Sequence, residues 1–357
     1  MKIGIIAHLK HPIRSPFSGG LEAFTFDVTQ RLISRGHDVT LFASSKSDAL
    51  LNVTPILSDE HYDDATGYRE KKPNLSSEYI AEHHAYLQLM QDIDSLELDV
   101  IFNNSLHYVP ITMAGIVSTP MLTVLHTPPF FELKNAVKAE RRQGTISYVT
   151  VSDRNAENWN EFTGGCSVIR NGIDLSNWEY YPVPEGDYAI WFGRIHPDKG
   201  THLAIEAAKL AGVKLYLAGN IADEKYFKNR VEPLLDDQVS YVGQKDHNEL
   251  NALIGNAFVS LITPTWEEPF GLVVAESLAC GTPVAGFAIG ALPQLITAQT
   301  GELAKPGDVK ALAKAIAGAK LKKRSACREH AVSSFNVEKM ILAYEKQLMQ
   351  LTTQVFQ

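Results

Sequence analysis

The chain has 357 residues, 45% hydrophobic and 21% charged, with a formal net charge of −8. That length suits about two globular domains. An acidic surface repels polyanions, which argues against a nucleic-acid partner.

The first element is KIGIIA (2–7), an apolar run that reads as a buried strand. The N-terminus, MKIGIIAHLK, has no long apolar region or cleavage site, so no signal peptide is expected. SGGLE (18–22) leads into a helix ending near Arg35 and Gly36. DVTLFA (38–43), DVIFNN (99–104), MLTVLH (121–126) and YVTVS (148–152) are further strands, and CSVIRNGID (166–174) closes this half. These runs are continuously apolar, as parallel strands covered on both faces should be. NWEYYPVPEGDY (177–188), rich in aromatics and proline, reads as a linker. The pattern then restarts with YAIWFG (188–193), VKLYLAG (213–219), VSYVG (239–243), FVSLIT (258–263) and PVAGF (283–287).

Residues 277–301 carry no charge and are long enough to suggest a membrane span. Pro283, Pro293 and glycines at 281, 286, 290 and 301 instead predict strand, loop and helix in a core. NVEKMILAYEKQLMQL (336–351) has helical spacing. Strands alternating with helices predict parallel βαβ units. The expected fold is therefore α/β: two doubly wound Rossmann-like domains facing across a cleft, residues 1–175 and 176–335, and then a helix within 336–357. Ligands in such sheets bind beyond the carboxyl ends of the strands.

Several stretches could carry chemistry at those ends. Gly19 and Gly20 open a helix, whose N-terminus favours anions. They match neither a GxGxxG fingerprint nor a P-loop, and alone would serve equally as a plain tight turn. In FGRIHPDKG (192–200), Arg194 offers a planar fork and Lys199 a compact charge, a pair suited to a diphosphate. Read alone, they could also be ordinary surface cations. In TWEEPFGLVVAESLACGTP (265–283), a helix should begin at Gly271 and leave the N–H groups of Phe270, Gly271 and Leu272 open to a phosphate or hydroxyl. Glu276, more than a turn into that helix, could accept both ribose hydroxyls, and Glu268, in the turn before it, could reach sugar hydroxyls.

His126, in LHTPP (125–129), ends a strand, as do Asn103 and Asn104; each could bind ligand or hold a loop. Asp92-Ile93-Asp94 has DxD spacing but lies in a helix-like stretch, and is read as accidental. No HExxH-type spacing occurs, so no metal site is expected. Three widely spaced cysteines, Cys166, Cys280 and Cys327, fit a reducing cytoplasm. Two basic clusters, Lys134, Lys138, Arg141 and Arg142, then Lys320, Lys322, Lys323 and Arg324, read as solvated helix faces or contacts to anionic lipid. PFFELKNAVKAERR (129–142), apolar then basic, could rest on a membrane surface.

GGLE (19–22), HTP (126–128), VIRNGID (168–174), GRIHPDKG (193–200) and EPFGLVVAESLACGTPV (268–284) together resemble the retaining GT-B glycosyltransferases of family 4, also called glycosyl transferases group 1. The resemblance covers nearly the whole chain, and its most specific part is the E-x7-E element with its ACGTPV tail. It implies that Arg194 and Lys199 bind the donor diphosphate and Glu276 the ribose. Glu268 and the Phe270–Leu272 backbone should hold the donor sugar, with His126 beside it. Gly19 and Gly20 should approach the diphosphate, and Gly243 is counted among the donor-binding residues. The first domain should supply the acceptor site and the last helix should cross back to it. Where the family often has Gly-Gly followed by Pro-Glu, this chain has Gly290-Ala291 and Pro293-Gln294.

The expected reaction is retaining transfer of a hexose from a nucleotide-diphosphate sugar to a hydroxyl acceptor in glycan or polysaccharide biosynthesis, with no cofactor and no metal. UDP-glucose or another UDP-hexose is the expected donor, from its frequency in the family. The expected location is cytoplasmic, with peripheral contact at the inner membrane face left open, and no obligate protein partner is expected. A small-molecule acceptor, a nucleotide-sugar epimerase of the same fold and a non-catalytic nucleotide-sugar binder are the alternatives. Acceptor choice should lie in loops at roughly 8–18, 44–80 and 128–143.

Overall fold

A computed structural model describes residues 1–17, 19–57 and 75–354. Ser18 of SGGLE, the 58–74 part of the second acceptor loop and residues 355–357 lie outside the described residues. The chain divides into two compact units, Met1–Ile169 with Ile341–Gln357, and Arg170–Met340.

The first unit is built on β1 (Lys2–Ile6), β2 (Asp38–Ser44), β3 (Val53–Leu57), β4 (Val100–Asn103), β5 (Met121–Leu125), β6 (Ile146–Thr150) and β7 (Ser167–Val168). They form one parallel sheet in the order β3-β2-β1-β4-β5-β6-β7. The order reverses between β1 and β4, the point where such sheets bind ligands. Ile6 pairs with Asn103, and the Asn104 N–H continues the ladder to the Ile6 carbonyl at 2.8 Å. The residues just past β1, β4 and β5 therefore emerge on one edge. Chain-end residues pack into this unit: Tyr344 is buried against Phe24 and Phe102, and Glu345 bonds Arg35 and His37 at 2.8 and 2.7 Å.

The second unit contains β8 (Ala189–Phe192), β9 (Leu215–Ala218), β10 (Val239–Gly243), β11 (Val259–Ile262), β12 (Val284–Phe287) and β13 (Gly301–Ala304). They too are parallel, in the order β10-β9-β8-β11-β12-β13, with the reversal between β8 and β11. The helix Val309–Ala319 shows how the faces are covered: Leu312, Ala315, Ile316 and Ala319 are its buried residues, at helical spacing. Three strands escaped the sequence reading. β3 holds Pro55, β7 is two residues within CSVIRNGID, and β13 is the short, charged GELA; all three are edge strands, where full apolar runs are not required.

The uncharged 277–301 stretch is the end of a helix, β12, a short helix at Leu292–Leu295 and the start of β13. Among the described residues no helix is long and apolar enough to cross a membrane. The second basic cluster is a solvated face only in part: Lys320 and Lys323 are exposed, and Arg324 is not. Arg324 is buried and donates to the carbonyls of Tyr181, Gly255, Ala257 and Cys280 and to the Thr282 hydroxyl. Lys322 bonds Glu302 at 2.5 Å, and Lys320 lies over the Phe258 ring. Arg324 and Arg328 together pin the 177–188 stretch to the second unit, since Arg328 donates to the Trp178 carbonyl at 2.8 Å. In the first cluster, Lys134 and Lys138 stand over the Phe162 ring at 5.8 and 4.9 Å, while the neighbouring Phe131 is exposed.

Candidate functional site

Three adjacent strands of the second unit run into glycines: β8 into Gly193, β9 into Gly219 and β10 into Gly243. The Gly219 N–H donates to the Gly243 carbonyl at 3.0 Å, and the Gly193 N–H to the Ala218 carbonyl at 3.0 Å. The strand ends are bare of side chains at these glycines, and Arg194, Asn220 and Gln244 follow directly after them. Arg194 is exposed, and its guanidinium lies 3.8 Å from Asp198, a loose pair that solvent leaves weak.

The turn after Arg194 is tied to the loop after β11. The Thr265 N–H donates to the Asp198 carbonyl at 2.8 Å, and the Thr265 hydroxyl to the Pro197 carbonyl at 3.0 Å. These bonds bring Lys199 to Glu268, with Nζ 2.5 Å from Oε2. The indole N–H of Trp266 donates to the same oxygen at 3.1 Å, and Lys199 stands 5.4 Å from the centre of that indole. One carboxylate oxygen is thus held by a cation and a neutral donor, and the cation is further held by a ring. The backbone of Glu268 is clamped as well. Its carbonyl accepts from the Ala291 N–H at 2.8 Å, and Gly290, at φ +58°, packs against it so tightly that a Cβ would lie 2.3 Å from that oxygen. No larger residue fits there.

Phe270 is 2% exposed and its ring meets Phe335 edge to face, which fixes the turn. Gly271 is the N-cap of the helix Leu272–Ala279 and provides no side-chain cap. The N–H groups of Phe270, Gly271, Leu272 and Val273 have no acceptor among the described residues. An uncapped helix start of this kind attracts anions. The Glu268 side chain borders it, since a Cβ on Gly271 would stand 3.6 Å from Glu268 Cγ. About one turn along, the partly exposed Glu276 carboxylate has no hydrogen-bond partner among the described residues, and burial pushes its pKa up to about 7. VIRNGID has a structural part to play. The Ile173 N–H donates to the Phe335 carbonyl at 2.8 Å, which supports the ring that Phe270 packs on.

In the first unit, His126 follows β5. Its Nε2 lies 3.0 Å from Asn104 Oδ1, so Nε2 carries the proton and Nδ1 the lone pair. Its ring meets Phe24 edge to face at 4.6 Å. Burial, with His8 nearby, holds its pKa down at about 3, so the imidazole stays neutral. Asn104 Nδ2 is buried without a partner. Asn103 instead serves the loop, accepting from the Ser105 N–H at 3.1 Å. Gly19 and Gly20 do open the helix Gly20–Ser34, but Glu22 occupies its first turn, 3.2 Å from His8. Asp94 of the DxD-spaced pair binds the Ser118 and Thr119 N–H groups at 2.9 and 3.2 Å, a loop anchor. Among the described residues no group of three or more His, Cys, Asp or Glu is placed to hold a metal ion.

The sequence reading missed Trp266, Trp159 and Asn155. The last two donate to the Thr127 carbonyl at 2.7 and 3.2 Å and so set the HTP turn. The one signal was their type: polar-tipped side chains near strand ends.

Residues 181–332 match the family model described as Glycosyl transferases group 1, and residues 18–177 match Glycosyltransferase Family 4. The chain is 35% identical over 164 residues to a glycogen synthase of Mycobacterium tuberculosis, covering 42% of this chain and 38% of that protein. It is 30% identical over 191 residues to a D-inositol 3-phosphate glycosyltransferase of Mycobacterium avium, covering 48% of this chain and 45% of that one. The matches thus span less than half of these relatives. Two solved structures share the fold along nearly their whole length. A sucrose-phosphate synthase from Thermosynechococcus elongatus superposes with a TM-score of 0.75 at 19% identity, covering 99% of each chain. The Anabaena protein HepE in complex with UDP gives 0.74 at 21%, covering 98% of this chain and all of that one. With its two halves matched in tandem and this fold in both units, the chain belongs to the GT-B glycosyltransferases of family 4.

Proposed function

We propose that the protein transfers a hexose, with retention of anomeric configuration, from a UDP-sugar to a hydroxyl acceptor in glycan or polysaccharide biosynthesis. The observation that carries this reading is the uncapped helix start at Gly271, bordered by the Lys199–Glu268 pair and followed by the unpartnered Glu276 carboxylate. A nucleotide sugar needs that order of groups: donors for phosphate, then an acceptor for vicinal ribose hydroxyls. UDP-glucose is the donor we favour, and HepE structures with UDP and with UDP-glucose support the choice.

In this reading the second unit holds the donor. Arg194, Lys199 and the 270–272 N–H groups take up the charge that develops on the departing diphosphate. Preorganised donors of this kind are worth roughly 3–4 kcal/mol each. With those cations in place, the leaving group needs no metal ion. Glu268, oriented by Lys199 and Trp266, receives hydroxyls of the sugar. His126, held neutral, is a hydrogen-bond partner of the transferred sugar. The bond from C1 to phosphate oxygen breaks while the acceptor oxygen bonds to C1 on the same face. The acceptor proton passes to the departing phosphate oxygen. We place the reaction in the cytoplasm, in keeping with three free cysteines.

A thermal-shift panel of UDP, GDP, ADP and their sugar conjugates, with and without EDTA, tests this. At about 100 times its dissociation constant a ligand adds ~2.7 kcal/mol, a shift of several degrees. UDP and UDP-glucose should stabilise the protein equally with EDTA, and Arg194→Ala should remove the shift. A response confined to GDP or ADP, or one abolished by EDTA, would overturn the donor or the metal-free step. Turnover of UDP-glucose without acceptor into another UDP-hexose would identify an epimerase instead.

A further inference from the structure

A cavity of about 500 Å³ lies wholly within the first unit, beyond the carboxyl ends of β1 and β4. Its size falls within the ~300–1,000 Å³ usual for small-ligand pockets. We propose that this cavity is the acceptor site and that it selects a neutral polyhydroxylated ring, a glycoside or glycan end, against acceptors bearing phosphate. The inference names the acceptor class for the transfer proposed above and rests on that reading.

Aromatic rings form one wall. His107 and Tyr108 stack at 4.7 Å, Tyr86 lies 4.5 Å from His107, and Tyr79 stacks with Tyr108 at 6.3 Å. Phe130 also lines the cavity. A pyranose ring offers an apolar C–H face to such a wall and turns its hydroxyls to the rim. The rim has groups to meet them. Glu22, Glu82 and Glu132 line the cavity and supply carboxylate oxygens for hydroxyl donors. His107, 8% exposed, accepts the Val109 N–H on Nδ1 at 3.2 Å, so its Nε2 carries hydrogen. That Nε2 is buried and has no partner, a donor for a hydroxyl oxygen. Burial holds the His107 pKa down at about 4, so the ring adds no positive charge near neutrality.

The charges decide against phosphate. Among the described lining residues Lys10 is the one lysine or arginine, against three carboxylates. His8 is already engaged 3.2 Å from Glu22. A phosphate dianion would meet like charges in a partly dry pocket, where repulsion is strong. Phosphate-selective sites instead gather arginines. His8, which lines the cavity, also lies near enough to His126 to oppose its protonation, so the cavity and that strand end are neighbours in the first unit.

Saturation-transfer NMR without any nucleotide tests this, using maltose and methyl glucoside against glucose 6-phosphate. The neutral probes should bind at least tenfold more tightly than the phosphorylated one. Tyr108→Ala should weaken maltose at least tenfold. Glu132→Lys, at an exposed position, should narrow the gap between the probes. The proposal is overturned if glucose 6-phosphate binds as well as maltose, if neither neutral probe binds, or if Tyr108→Ala in a folded protein leaves maltose binding unchanged. Because no donor is present, a protein that binds maltose but shifts with no nucleotide would keep this pocket and lose the transfer reading.

Discussion

Lys199 and Glu268, 69 positions apart in sequence, meet with Nζ 2.5 Å from Oε2. Their side chains are 24% and 13% exposed, so the pair is partly desolvated and each charge depends on the other. The pair joins the turn after β8 to the turn after β11, on either side of the point where the sheet order reverses. The lysine we assign to the diphosphate is thus held by the acid we assign to the sugar.

That dependence predicts a double-mutant cycle. Lys199→Ala and Glu268→Ala should each lower the rate of UDP release about 100-fold or more. The double variant should fall short of the product of the two, with a coupling of ~1–3 kcal/mol. Strictly additive losses would mean that the contact plays no part in transfer.

Glu276 should make nucleotide binding depend on pH. Its folded pKa, about 7, is raised above the ordinary carboxylate value by burial. As pH climbs from the unfolded pKa through about 7, the unfolded chain ionises first and the free protein loses stability. On the proposed assignment of ribose hydroxyls to the ionised carboxylate, UDP affinity should rise over the same interval and level off above it. Glu276→Gln should flatten both trends, be more stable than the parent above about pH 7, and bind UDP more weakly at high pH. Melting curves with and without UDP between about pH 5 and pH 8 read both effects.

Gly290→Ala should injure catalysis as well as stability. A Cβ there would lie 2.3 Å from the Glu268 carbonyl, at φ +58°. Backbone strain costs ~1–3 kcal/mol, and relief by shifting Glu268 would displace its carboxylate from Lys199. Gly307→Ala is the control, since it has positive φ with nothing within 4 Å of the added carbon. It should cost stability alone. Equal transfer rates in the two variants, measured at matched folded fraction, would refute the clamp.

Arg324→Ala should be among the most destabilising surface-looking changes in the chain. It would strip a donor from the carbonyls of Tyr181, Gly255, Ala257 and Cys280. Unpaired buried groups cost ~1–3 kcal/mol each, so a loss of at least ~3 kcal/mol is expected, some 6–12 °C for a domain of this size. Arg324→Lys should not rescue it, because an ammonium cannot span that fork. A urea midpoint within error of the parent would refute this assignment.

Local sequence determined the elements. Ten of the strands were legible as apolar runs, and β3, β7 and β13 were not, because an edge strand needs neither full burial nor a full ladder. The helix start at Gly271 was legible too, since Pro-Phe-Gly before an apolar run has few other solutions. What residues do to one another across long separations was decided only by the tertiary structure. In sequence Arg324 looks like Lys320, Lys322 and Lys323, yet it alone of the four is buried among carbonyls. Asn103 and Asn104 are neighbours, yet one braces a loop and the other holds His126. The cavity of His107, Tyr108 and Glu132 draws on segments that no motif connects. Periodicity is local and survives in the sequence. Burial, pairing and pKa depend on which strand ends lie side by side, and sheet order alone sets that.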